Sequence, residues 1–134
     1  MDLPFPKAKL VTWLDPASAT DDGPLKGIYD RYTQAARQAF LGEGERRLKD
    51  LKDSPYAGNA ACTSCHANAA EVYAKSAHAR AMATLQEKGK HEDPECVACH
   101  SVGAKEKGGF VSLAASPQLA NVQCENCHGP RRVH

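Results

Sequence analysis

The sequence predicts a mainly α fold on two periodic stretches and one repeated motif. Leu25, Ile28, Tyr29, Tyr32, Ala36 and Phe40 recur at the spacing of one helix face. Residues 67–88 form an alanine-rich run closed by Gly89, the composition and stop signal of a second helix. Between and after these runs the chain is punctuated by Gly and Pro, and Cys-x-x-Cys-His occurs three times.

The three copies are Cys62-Thr63-Ser64-Cys65-His66, Cys96-Val97-Ala98-Cys99-His100 and Cys124-Glu125-Asn126-Cys127-His128. They use all six cysteines and three of the six histidines. This is the attachment signature of c-type haem. Each Cys forms a thioether to one vinyl group, two intervening residues match the vinyl spacing, and the adjacent His is held under the iron. Three haem c groups follow, attached at Cys62 and Cys65, Cys96 and Cys99, and Cys124 and Cys127.

Other uses of cysteine fit less well. Zinc sites combine Cys pairs, but they need no His after every second Cys, and three pairs leave one unmatched. A redox Cys-x-x-Cys is normally single and sits in a βαβ context. A disulfide framework has no use for three identical spacings. The histidine count agrees with haem: three irons with two axial imidazoles each need His66, His100 and His128 plus His78, His91 and His134, and the chain has six.

Composition points the same way. Apolar residues reach 42%, but Leu, Ile, Val and Phe total 21 of 134, below the roughly 20% that marks chains with too little to bury. Three porphyrins supply the missing apolar core, so the fold class expected is a small multiheme cytochrome c domain with a haem-filled core, long loops and an N-terminal helical arm. Apoprotein is expected to be largely unfolded. Formal net charge is +1, a balance that does not suggest nucleic acid or an anionic membrane surface as partner. Haem propionates take it to roughly −2 oxidised and roughly −5 reduced, by counting formal charges, which favours a partner with a basic docking face.

In chain order, residues 1–23 carry Pro4, Pro6, Pro16 and the turn signal Asp21-Asp22-Gly23, with residues 9–14 extended and Trp13 packing on the body. Asp22 and Pro24 suit the start of the first helix. Gly42 and Gly44 are expected to interrupt it, and a second charged helical stretch follows from Glu45 to about Lys52. This arm, residues 1–55, holds no Cys or His and carries no haem; it packs over residues 56–134, the triheme domain, or serves docking or oligomerisation.

On a continuous helix His78 stands about 18 Å beyond His66, too far to reach the opposite face of the same haem. Met82, one turn on, packs against porphyrin. Pro94 breaks any helix before the second motif, and an extended run from His91 to His100 can wrap a haem edge. Residues 101–123 read as a long loop with a short strand at 110–113. Gly129-Pro130 ends the last helix; Arg131 and Arg132 suit propionates.

Residues 56–134 resemble the cytochrome c-554 family of multiheme cytochromes. The resemblance rests on Cys62 to His66, the Ser76-to-Met82 segment around His78, Asp93 to His100, the Gly108-Gly109-Phe110 turn, and Asn121 to Pro130, in the same order and spacing. It implies a mainly helical, haem-packed fold that shuttles electrons between periplasmic redox enzymes. It implies that His78 ligates the third haem and that a His after Cys-His-Gly-Pro, here His134, ligates the first. The two ligands then cross over and hold those haems close. The family type has a fourth haem and a five-coordinate second haem; this chain has three motifs, and His91 stands near the second.

The function expected is therefore electron transfer between exported redox partner proteins, not enzymatic, with ligand pairs His66/His134, His100/His91 and His128/His78. Two imidazoles without Met ligation imply low potentials. Two rivals are a five-coordinate second haem acting on nitric oxide or nitrite, and a subunit of a cytochrome filament or larger complex joined through the arm. Haem attachment occurs outside the cytoplasmic membrane in bacteria, so the protein is expected in the periplasm or outside the cell. No transmembrane run and no signal peptide are visible, so Met1 is expected to mark a processed chain or a piece of a longer one.

Overall fold

The first helix, α1 (Lys26–Arg47), runs unbroken through Gly42 and Gly44 and passes directly into a 3-10 turn, Leu48–Asp53. The expected interruption is absent. Two helical glycines cost about 1 kcal/mol each, and packing outweighs this at Gly44, which is buried and where a Cβ would stand 3.1 Å from Val111 Cγ1. The computed structural model describes residue 23 and residues 25–131; the expectations for residues 1–22, Pro24, Arg132 and His134 lie outside these.

The two halves of α1 differ. Phe40 packs against the core, and Arg47 donates from Nη1 to the Ala104 carbonyl at 2.6 Å and from Nη2 to the Phe110 carbonyl at 2.7 Å. The N-terminal half exposes Leu25, Ile28, Tyr29 and Tyr32, the residues whose spacing suggested a buried face. Their periodicity gave the helix correctly, but not its covering among the described residues.

After the short α2 (Ala60–Thr63), the predicted long helix is split. It becomes α3 (Ala67–Ala74), a 3-10 turn at His78–Arg80, and α4 (Ala81–Glu87). Ser76 causes the break locally. Its backbone N–H and its Oγ both bind the Tyr73 carbonyl, at 2.9 and 2.7 Å, an alternative to the i→i−4 ladder that serine readily offers. Asn121 Oδ1 then accepts the Met82 N–H at 2.9 Å near the start of α4. Gly89, at φ 64, closes α4 with bonds from the Lys90 N–H to Leu85 and from the Gly89 N–H to Gln86.

Pro94 does not break a helix. It opens α5 (Pro94–His100), with Asp93 Oδ1 accepting the Glu95 N–H. The predicted strand at 110–113 does not form. Phe110 makes one ladder-like bond to Val102, and the only isolated bridge among the described residues joins Ser101 to Ala120. Phe110 instead fills the core with Met82, Leu85, Val97, Val102 and Leu119. The last helix, α6 (Cys124–His128), begins with a capping box of Gln123 and Asn126 and ends at Gly129, φ 81. The apolar core therefore lies in residues 81–120, while α2 and α3 contain no buried residue. No helix among the described residues is long and apolar enough to cross a membrane.

Candidate haem sites

Each repeated motif begins on one of the short helices α2, α5 and α6. The two cysteines are then three residues apart and the His four from the first, which faces all three the same way. At the first motif α2 ends at Thr63, but the His66 N–H still bonds the Cys62 carbonyl at 3.0 Å and keeps that register. All three motifs share one exposure pattern: Cys62, Cys96 and Cys124 are half-buried, and Cys65, Cys99 and Cys127 are exposed. In each motif both sulfurs would be open to thioether bonds with one haem, the second more exposed than the first.

The His100 ring is fixed by one hydrogen bond. Its Nδ1 lies 2.7 Å from the Ala81 carbonyl. The carbonyl accepts a hydrogen bond from Nδ1–H and leaves the Nε2 lone pair uncommitted, the tautomer that a ligating imidazole uses. Among the described residues no three His, Cys, Asp or Glu side chains gather where they could hold a bare metal ion. The donor set suits a porphyrin bound through separated thiols and imidazoles.

The first and third motifs are adjacent. Burial pushes the Cys124 thiol up, and the neighbouring Cys62 thiol adds to it. Burial likewise raises the Cys96 thiol, with Asp93 contributing. The chain entering the first motif is tied to the third by a polar lock. Glu125, buried between the two cysteines of α6, accepts from the N–H groups of Ala57 at 3.1 Å, Gly58 at 2.8 Å and Arg131 at 2.9 Å. Asn59 donates its N–H to Gln123 Oε1 at 2.6 Å, and its Oδ1 accepts the Cys124 N–H at 3.0 Å. Asn126 Nδ2 reaches the Ser101 carbonyl, the residue after His100, at 2.9 Å. The intervening residues of the third motif thus join all three attachment segments.

Gly58 is required in this lock. Its φ is 74, and a Cβ would stand 2.6 Å from the Gln118 carbonyl oxygen. Gly58→Ala is expected to cost about 2 kcal/mol in a denaturant titration of the holoprotein; an unchanged midpoint would contradict the packing described.

The remaining histidines are not brought together. His78 is exposed at the start of its 3-10 turn, and His91 is half-buried with its Nδ1 buried and without a hydrogen bond. His134 lies outside the described residues. His78 does not share a continuous helix with the first motif, because α3 stops at Ala74, so the separation of about 18 Å expected of such a helix does not apply. Sequence reasoning missed Glu125 and Asn126, which the vinyl spacing alone treats as spacers, and Gln123 and Asn59, which lie just ahead of the third and first motifs. A carboxylate inside a Cys-x-x-Cys pair was the available signal.

A helical scaffold with short attachment helices, a sparse apolar core and a ligand-ready His100 defines a small multihaem c-type cytochrome. The family model described as cytochrome c554 and c-prime matches residues 61–129, and the chain belongs to that family. Its cofactor is therefore covalently bound haem c. The chain is similar to cytochrome c-554 of Nitrosomonas europaea, at 37% identity over 95 residues covering 60% of this chain and 40% of the relative. It thus aligns with less than half of that protein. No solved structure matches.

Proposed function

We propose that this chain carries three haem c groups and transfers electrons between exported redox partner proteins, without chemistry on a bound substrate. One observation carries the reading: three like-built attachment segments are joined by the side chains between the cysteines of α6. Cys62 and Cys124 lie side by side, which supports close approach of the first and third haems. Electronic overlap falls steeply with separation, so such a pair exchanges electrons quickly.

The thioether residues in this reading are Cys62, Cys65, Cys96, Cys99, Cys124 and Cys127, and the proximal ligands are His66, His100 and His128. His134, His91 and His78 complete the three irons in that order. Bis-imidazole ligation holds each iron six-coordinate in both oxidation states and keeps the potential low. Export to the periplasm or beyond follows from where haem c is attached.

The test is a haem count and an optical and EPR spectrum of the holoprotein, oxidised and reduced, with and without carbon monoxide. Three haems per chain, all low-spin and closed to carbon monoxide, are expected. Two haems would overturn the count. A carbon monoxide adduct in the unmodified protein would overturn full bis-His ligation and bring forward the rival in which the second haem acts on a small ligand.

A further inference from the structure

The helix α1 lies outside residues 61–129, which match the family, yet it grips the short turn that carries His91. Lys90 Nζ donates to Tyr29 Oη at 3.0 Å and sits 4.9 Å from that ring's centroid. Glu92 pairs with Arg37. Glu95 Oε1 accepts from Tyr32 Oη at 3.0 Å. The three α1 residues span about 12 Å of helix. Both sequence neighbours of His91 are therefore tied to α1, and a third tie follows at the first turn of α5. Lys90 and Asp93 also pair across the turn at 3.5 Å, so the loop has a shape of its own that α1 positions as a unit.

The His91 ring is differently placed from its backbone. Its Nδ1 is buried and makes no hydrogen bond. An imidazole held through its neighbours, with a ring nitrogen uncommitted to the protein, is arranged as a ligand awaiting a metal rather than as a structural hydrogen-bonding group.

We propose that α1 is a strut that holds His91 on the second haem, and that its grip decides whether the sixth position of that iron is closed or open to a small neutral ligand. The proposal rests on the assignment of His91 to that haem. Tyr29, Tyr32 and Arg37 are positioning residues: they touch neither haem nor ligand and act through the turn. A slack strut exchanges one neutral donor, imidazole, for another, such as carbon monoxide, without change of oxidation state.

The experiment is carbon monoxide binding to the ferrous holoprotein, followed optically and counted per chain, in three variants. His91→Ala is expected to bind one carbon monoxide per chain. The triple variant Tyr29→Phe, Tyr32→Phe, Arg37→Ala is expected to bind at the same single haem, with an open fraction at least about tenfold above that of the closed parent, as loss of several exposed contacts of modest strength implies. Arg37→Lys, which keeps the pair with Glu92, is expected to stay near the parent. All three α1 side chains are on the exposed surface, so the fold is not at risk; adducts at more than one haem would signal general loosening and overturn the proposal. A triple variant as closed as the parent, beside an open His91→Ala, would overturn the strut and leave the ligand assignment standing. A closed His91→Ala would overturn the ligand assignment, and the strut with it.

Discussion

A variant with all six attachment cysteines replaced by alanine is expected to lose cooperative folding altogether. The buried apolar residues among those described are few: Ala81, Met82, Leu85, Val97, Val102, Ala104, Phe110, Val111, Leu119 and Ala120. Three are alanines, which bury little. All lie in residues 81–120, and α2, α3 and α6 contribute no buried apolar side chain of their own. Those helices run four, eight and five residues, well short of the roughly 12 to 15 needed for an isolated helix to persist in water. Porphyrin faces are the apolar surface that remains to hold them. Ordering the backbone costs about 1–2 kcal/mol per residue, and without haem the first and third attachment regions have little beyond polar contacts and the packing of Tyr56 on the core to offset it. Near-UV circular dichroism against temperature reads this directly. A flat, featureless profile is expected; a sigmoidal transition would show that the polypeptide core suffices without haem.

The haem chemistry was legible in the sequence because it is covalent: cysteines at fixed spacing with an adjacent His need no tertiary knowledge to read. The helical class was legible for a similar reason, since spacing along α1 and alanine content after His66 are local properties. Of what failed, part was non-local and part was a local choice with two outcomes. Gly42 and Gly44 carry a local cost that the contact of Gly44 with Val111 overrides, and no pattern near residue 44 announces residue 111. Ser76 looked like a tolerable residue in a long helix, but its hydroxyl and N–H both fold back onto Tyr73 and end α3 early. Pro94 was read as a helix breaker when its fixed φ suits the first turn of α5. The partners of the polar lock were non-local. Glu125 binds residues 67 and 68 positions away, a pairing that depends on how the first and third attachment segments meet.

That lock carries the second large prediction. Glu125→Ala is expected to destabilise the holoprotein by about 4 kcal/mol, as breaking a buried charged hydrogen-bond network does. The carboxylate satisfies the N–H groups of Ala57, Gly58 and Arg131, and its side chain sits in a residue only 6% exposed. Removing it strands three donors, of which the Gly58 N–H is buried and those of Ala57 and Arg131 part-buried, and a buried donor left unpaired costs about 1–3 kcal/mol. Glu125→Gln preserves the shape and one acceptor oxygen, so it is expected to lose about half as much. Guanidinium titrations of both variants, followed at the Soret band, give the comparison. The spectroscopic consequence separates this lock from ordinary packing. Loosening residues 57–59 releases the segment leading into Cys62 while the second motif stays in the core through Val97. With three haems attached as proposed, any magnetic interaction between the first and third should weaken in the EPR spectrum, with the second haem's signal unchanged. Equal disturbance of all three signals would mean that Glu125 supports the domain as a whole rather than the pairing of its first and third attachment segments.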